Sequence, residues 1–218
     1  MPDYQVRVWT YEDALQSGIP YVKEALSVRK WAFAADVIRL YALYTEGGVY
    51  LDSDLFVKKD MTPLFQNDFV SAIESWPKVF DPAAVDGNGC RREGFQRVRG
   101  LSIQAAFLAS PKEHPFVRIL LDYYRNRHFI RPNGSYDMDL IAPDHYAFIA
   151  ESFGFRYIDR TQHLDGITIY SSRYIAGGLE LDSPEAYGIH GCCNSWKHDS
   201  WIYRLLRLVK RFVLRLFR

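Results

Sequence analysis

Two aspartates one residue apart, Asp52 and Asp54, stand in the segment GGVYLDSDLF at residues 47–56, directly after an apolar run with strong β propensity. A carboxylate placed where a strand ends in an α/β sheet faces the crevice in which such folds bind ligands. Two of them repel each other unless water or a cation lies between them. Their hard oxygens suit Mg²⁺ or Mn²⁺, and Mg²⁺ is usually held by one or two carboxylates together with the phosphates of a substrate. The chemistry implied is metal-assisted work on a phosphate ester. On those letters alone a solvated turn explains the pair better, so the flanking residues decide.

The residues that must position this pair come first in the chain. The stretch 21–44, YVKEALSVRKWAFAADVIRLYALY, places Trp31, Ala35, Ile38 and Ala42 at the spacing of one helix with a single buried stripe. Asp36 and Arg39, three apart, share a face of that helix, either as a structural ion pair or as a pair facing a ligand. Gly47 and Gly48 supply the positive-φ freedom that ends a helix, and VYLDSDLFV continues as a strand. A second alternation follows over 100–126, where LSIQAAFLAS reads as a strand and HPFVRILLDYYRNR as a helix begun by Pro115. Between the two, DPAAVDGNGCRREGFQRVRG reads as a loop. Its Arg-rich part, 86–100, is either solvated or in contact with an acceptor. Strands and helices taking turns predict an α/β layered domain.

The 218 residues, 48% hydrophobic and 16% aromatic, suffice for one sizeable core. One domain over 1–200 with a distinct tail at 201–218 is the economical division. The formal charge of +1 excludes nothing by itself, and no recognised nucleic-acid module is present, so no nucleic-acid partner is expected. Cys90, Cys192 and Cys193 have neither zinc-ligand nor disulfide-framework spacing, which favours a reducing compartment. Neither a long uncharged apolar stretch nor a signal-peptide layout is found, so the chain is expected on the cytosolic side.

The block FAADVIRLYALYTEGGVYLDSDLFV resembles the sugar-nucleotide-binding region of the DxD glycosyltransferases, a family that includes fungal outer-chain mannosyltransferases, bacterial capsule and lipo-oligosaccharide sugar transferases and the catalytic domains of clostridial glucosylating toxins. The shared pattern is Ala-x-Asp-x-x-Arg, a Gly-Gly turn, then Tyr-Leu-Asp-x-Asp, and it covers residues 34–60. PDYQVRVW, LASPKEHPFVRILLDYY and YGIHGCCNSW extend the likeness more loosely to residues 2–197. The resemblance implies a nucleotide-diphosphate-sugar transferase fold of the GT-A type, a mixed central sheet flanked by helices. It also implies a divalent metal, Mn²⁺ or Mg²⁺, and transfer of a hexose from a UDP- or GDP-sugar with retention of configuration.

Carried over residue by residue, the resemblance makes Asp54 the direct metal ligand and Asp52 the carboxylate that contacts the ribose and reaches the metal. Asp36 and Arg39 hold the donor sugar's hydroxyls. Ser195 and Trp196 meet the phosphate end of the donor, the indole N–H of Trp196 being a donor to the leaving oxygen. Tyr50 either lies against the donor or packs as a strand residue. His190 is open between metal ligation, phosphate contact and loop packing. Two departures accompany the match: the chain begins at Met1-Pro2-Asp3, after the family's opening apolar strand, and Gln104 stands where many relatives carry Asn. Gln104 is nonetheless a candidate donor-binding residue.

Residues 201–218 carry Arg204, Arg207, Arg211, Arg215 and Arg218 at steps of three or four, opposite Ile202, Leu205, Val209, Phe212 and Leu216. That pattern predicts a basic amphipathic helix lying on an anionic membrane, at the cytosolic face, which suits a glycan or glycolipid acceptor. Two other functions compete with glycosyl transfer. One is a truncated, inactive transferase domain that binds membrane or a partner through the tail. The other is an Asp-nucleophile phosphatase, disfavoured because Phe56 stands where that chemistry wants Thr or Val.

Overall fold

A computed structural model describes residues 4–65 and 68–192. Ser195, Trp196, Cys193 and the basic tail 201–218 lie outside the described residues. In chain order the helices are α1 (Tyr11–Gln16), α2 (Pro20–Ser27), α3 (Trp31–Glu46), α4 (Pro115–Arg125) and α5 (Ala142–Ala150). The strands are β1 (Gly48–Leu51), β2 (Leu55–Val57), β3 (Phe69–Ser75), β4 (Leu101–Ile103), β5 (Phe107–Ser110), β6 (Gln162–Leu164), β7 (Ile167–Tyr170), β8 (Ile175–Ala176) and β9 (Gly188–His190).

The main sheet runs β1-β5-β3-β7-β6, with β4 also paired to β3, and only the β3–β7 neighbours are parallel. A small second sheet, β2-β9-β8, carries the mixed pattern further, β2–β9 antiparallel and β8–β9 parallel. The alternation of a strand sends neighbouring side chains to opposite faces. On β3, Phe69 and Ile73 therefore join a core with α3, α4 and α5, whereas Val70 and Ala72 join a second core with Met61, Phe107 and Tyr170. Both faces of the sheet are covered, in accord with the mixed α/β architecture expected from the sequence.

Three segments divide where the sequence reads as continuous. The stretch 21–44 is two helices, because Arg29 adopts a left-handed φ of 58°. Arg29 N donates to Leu26 O and Lys30 N to Ala25 O, the paired bonds of a Schellman ending without its usual glycine. The buried stripe of α3 is Phe33, Val37 and Leu40 together with Ala34 and Ile38, whereas Trp31, assigned to the stripe by spacing, is 54% exposed. VYLDSDLFV is also divided: a turn at Asp52–Asp54, closed by Leu55 N on Asp52 O, passes the chain from the main sheet to the small one. LSIQAAFLAS breaks at residues 104–106 into β4 and β5, because β5 leaves β4's place to pair with β1 as well as β3. The helix after Pro115 forms as expected, with His114 capping it through Phe116 N. Within 81–100 the chain makes a single 3-10 turn and one bridge, Val85 to Arg91.

Candidate active site

The turn between β1 and β2 is held from three sides. Gly47 must be glycine, since a Cβ there would lie 2.6 Å from the Lys112 nitrogen and its φ is +71°. Asp52 N donates to Ala106 O in the break between β4 and β5, and Gly191 N donates to Asp54 O. The antiparallel register of β2 with β9 sets His190 opposite Leu55, one residue from Asp54. This pairing needs Gly188, where a Cβ would come within 2.9 Å of Phe56 O.

Asp52, Asp54 and His190 thus converge, offering one ligand atom each within 4.8 Å of one another. His190 Nε2 lies 3.5 Å from Asp54 Oδ1 and 3.8 Å from Asp52 Oδ2, while its Nδ1 is 3.3 Å from Cys192 Sγ. Burial opposes the imidazolium, but hydrogen bonds toward Asp54 and Cys192 outweigh it, and the His190 pKa is raised to about 10. Two carboxylates and an imidazole are a donor set that a divalent cation of the Mn²⁺ or Mg²⁺ type accepts, so the residues fit the metal that the motif implies.

Arg39 joins this group to α3. Its Nη2 is 3.0 Å from Asp36 Oδ1 and 3.6 Å from Asp52 Oδ1, and its Nη1 donates to Ala105 O at 2.6 Å. Its guanidinium also lies over the Tyr50 ring, 4.9 Å from the centroid, and Tyr50 OH donates to Asp52 Oδ1 at 2.7 Å. Tyr50 thus holds the Asp52 carboxylate in orientation through its hydroxyl. Burial works against the Arg39 cation, yet Tyr50, Asp52 and Asp36 hold its pKa well above the usual value. Burial raises Asp36 to about 6 in spite of Arg39, with Asp52 and Glu74 adding to the rise.

Asp36, Arg39, Asp52, Asp54 and His190 line a cleft of about 440 Å³, together with Glu74, Trp76, Arg97, Gln104 and Asp144. Gln104 is 1% exposed, and neither its amide oxygen nor its nitrogen has a hydrogen-bond partner among the described residues. A buried primary amide left unpaired is costly. Of the residues singled out in the sequence, the structure brings Asp36, Arg39, Tyr50, Asp52, Asp54, Gln104 and His190 together; Ser195 and Trp196 fall outside the described residues.

Glu74, Trp76, Asp144 and Cys192 were not read from the sequence. For Glu74 a signal existed: FVSAIE ends an apolar strand with a carboxylate, as VYLD does. Arg97 and Arg99, in the loop read as solvated or acceptor-facing, reach the cleft wall, and Arg97 pairs with Asp144 at 3.1 Å.

Residues 1–71 match the family model for the glycosyltransferase sugar-binding region containing the DXD motif. The matched segment contains Asp36, Arg39, Tyr50, Asp52 and Asp54 and ends inside β3. No curated protein matches the chain significantly. The match spans about a third of the chain and points to a glycosyltransferase, and the mixed α/β layers are compatible with a GT-A-like fold. A glycosyltransferase sugar-binding region implies a nucleotide-sugar donor and an acceptor.

Proposed function

We propose that the protein is a metal-dependent glycosyltransferase that moves a hexose from a UDP- or GDP-sugar to a polysaccharide, lipo-oligosaccharide or glycolipid acceptor with retention of configuration. The observation that carries this reading is the meeting of Asp52, Asp54 and His190 beside the Asp36–Arg39 pair in one cleft.

In this reading Asp54, Asp52 and His190 hold Mn²⁺ or Mg²⁺, which when bound neutralises charge on the diphosphate leaving group. Tyr50 keeps Asp52 turned to that position through its hydroxyl. Asp36 accepts from the donor sugar's hydroxyls, and Arg39 fixes both carboxylates while anchoring the 104–106 break through Ala105 O. The Gln104 amide contributes one donor and one acceptor to the same sugar. Ser195 and Trp196 are assigned to the phosphate end. The sugar–phosphate bond breaks through an oxocarbenium-like state, as in other glycosyl transfers. The basic segment 201–218 is assigned to an anionic membrane surface at the cytosolic face. Among the described residues, no helix is long and apolar enough to cross a membrane.

The test is a panel of UDP- and GDP-hexoses incubated with the full chain and Mn²⁺, followed by nucleotide release and calorimetry. Metal-dependent turnover of one donor, lost in Asp54→Ala, is expected. Neither turnover nor binding of any donor, with Asp54→Ala indistinguishable from wild type, overturns the reading.

A further inference from the structure

Glu74, next to last in β3, faces Ser102 of β4 across the antiparallel register, both lining the cleft. One carboxylate oxygen, Oε1, accepts from the Trp76 indole Nε1 at 2.9 Å, and the other has no hydrogen-bond donor among the described residues. Trp76 is itself fixed: its backbone nitrogen donates to Gly100 O at 2.8 Å. Gly100, at φ +81°, has no room for a side chain, because a Cβ would meet Phe80 at 2.6 Å and Trp76 O at 2.8 Å. The carboxylate is thereby held in one orientation with a lone-pair face left for a ligand.

The nature of that ligand follows from charge. Glu74 makes no ion pair among the described residues, and two arginines of the cleft are held by other carboxylates, Arg39 by Asp36 and Asp52 and Arg97 by Asp144. Burial raises the Glu74 pKa, the Trp76 hydrogen bond and His190 oppose the rise, and Asp144 and Asp52 add to it. A carboxylate disfavours direct contact with an anionic diphosphate, whereas a neutral hydroxyl supplies the donor that a part-paired carboxylate lacks. Glu74, Trp76 and Ser102 also follow the matched sugar-binding segment, which ends at residue 71.

We propose that Glu74, braced by Trp76, binds a hydroxyl of the acceptor sugar and so defines the acceptor side of the cleft. This rests on the glycosyltransferase reading above. Glu74 is an acceptor-binding residue, and Trp76 positions it.

Glu74→Gln and Trp76→Phe test it, with the donor that wild type turns over and the methyl glycosides of glucose, galactose and mannose as acceptors. Glu74→Gln should raise the acceptor KM about ten- to hundredfold, the range for a hydrogen bond to a charged group. Its affinity for the donor's nucleoside diphosphate with Mn²⁺ should stay within about twofold of wild type by calorimetry. Trp76→Phe, which keeps a smaller aromatic ring but loses the N–H, should raise the acceptor KM about three- to tenfold in the same way. Thermal melting establishes that both variants fold, and if Glu74→Gln does not, Trp76→Phe decides. Unchanged acceptor KM in the folded variants overturns the proposal, as does an equal loss of nucleotide affinity. A wild type that hydrolyses donor but transfers to none of the glycosides also overturns it. A wild type that binds no donor overturns the glycosyltransferase reading instead.

Discussion

His190 at the cleft and His145 between α4 and α5 are both largely withdrawn from water, yet their pKa values move in opposite directions, to about 10 and about 3. His145 is surrounded by rings, its own 3.6 Å from that of Tyr123 and 5.5 Å from that of Tyr124. Burial there removes the proton, and the neighbouring Arg127 cation acts in the same direction. His190 suffers the same burial, but Asp54 and Asp52 stand 3.5 and 3.8 Å away. Desolvation alone makes an imidazole neutral. Its reversal at His190 comes from the hydrogen bonds toward Asp54 and Cys192, and Asp54 belongs to the turn whose charge a divalent cation would meet.

The sharpest way to break this contrast is Asp54→Asn. Donor turnover should fall about a thousandfold, the scale of losing one electrostatic contact to a transition-state charge. Nuclear magnetic resonance of the metal-free variant should show the His190 pKa falling from about 10 toward the ordinary histidine value. If His190 still titrates near 10 without Asp54, Cys192 and not Asp54 is the cause. Arg39→Met comes next. It leaves Asp36 and Asp52 without the guanidinium that reaches both, in a site where Arg39 is 7% exposed. Breaking a buried ion pair from one side costs about 3–5 kcal/mol, which chemical denaturation at neutral pH would read.

How much of this could be read beforehand depended on whether a local pattern carried the geometry. Asp36, Arg39, Asp52 and Asp54 were legible because one helix, one glycine turn and one strand bring them together within a contiguous block. The mixed α/β layering was legible for the same reason, from alternating periodicities. The division of α2 from α3 was hidden because Arg29 takes the left-handed position that glycine usually marks. Tyr50's bond to Asp52 and the convergence of His190 on both aspartates depend on pairings made elsewhere, β1 with β5 and β2 with β9, which no local pattern reveals. Glu74 was overlooked although its strand ends as β1 does, since a single carboxylate lacks the repetition that drew attention to residues 52 and 54.

The two histidines also predict how stability responds to pH in the metal-free protein. His190 has its pKa raised on folding, so its stabilising contribution is complete below about 6.5 and is lost as pH rises through about 10. His145 is depressed, so its contribution is complete above about 6.5 and is lost as pH falls through about 3. His145→Phe, which keeps a ring against Tyr123, should flatten the acid limb of a melting-temperature profile and leave the alkaline limb in place. The reverse pattern would mean that His145 is not the buried neutral group on which the contrast depends.

The smallest effect is expected at the arginine pair beside His145. Arg127 and Arg131 both reach Asp137, at 2.6 and 2.8 Å, and Arg131 also reaches Asp139. Here two cations meet two carboxylates, whereas in the cleft Arg39 faces Asp36 and Asp52 alone. Asp137 is itself 12% exposed, but both arginine side chains are open to water, at 39% and 35%, and water there screens what the short distances suggest. Asp137→Asn should therefore cost no more than about 1 kcal/mol in chemical denaturation. Donor turnover should not change, because Asp137 is absent from the cleft lining. A loss as large as that of Arg39→Met would mean that ion-pair geometry, and not burial or the surplus of carboxylates, governs both clusters.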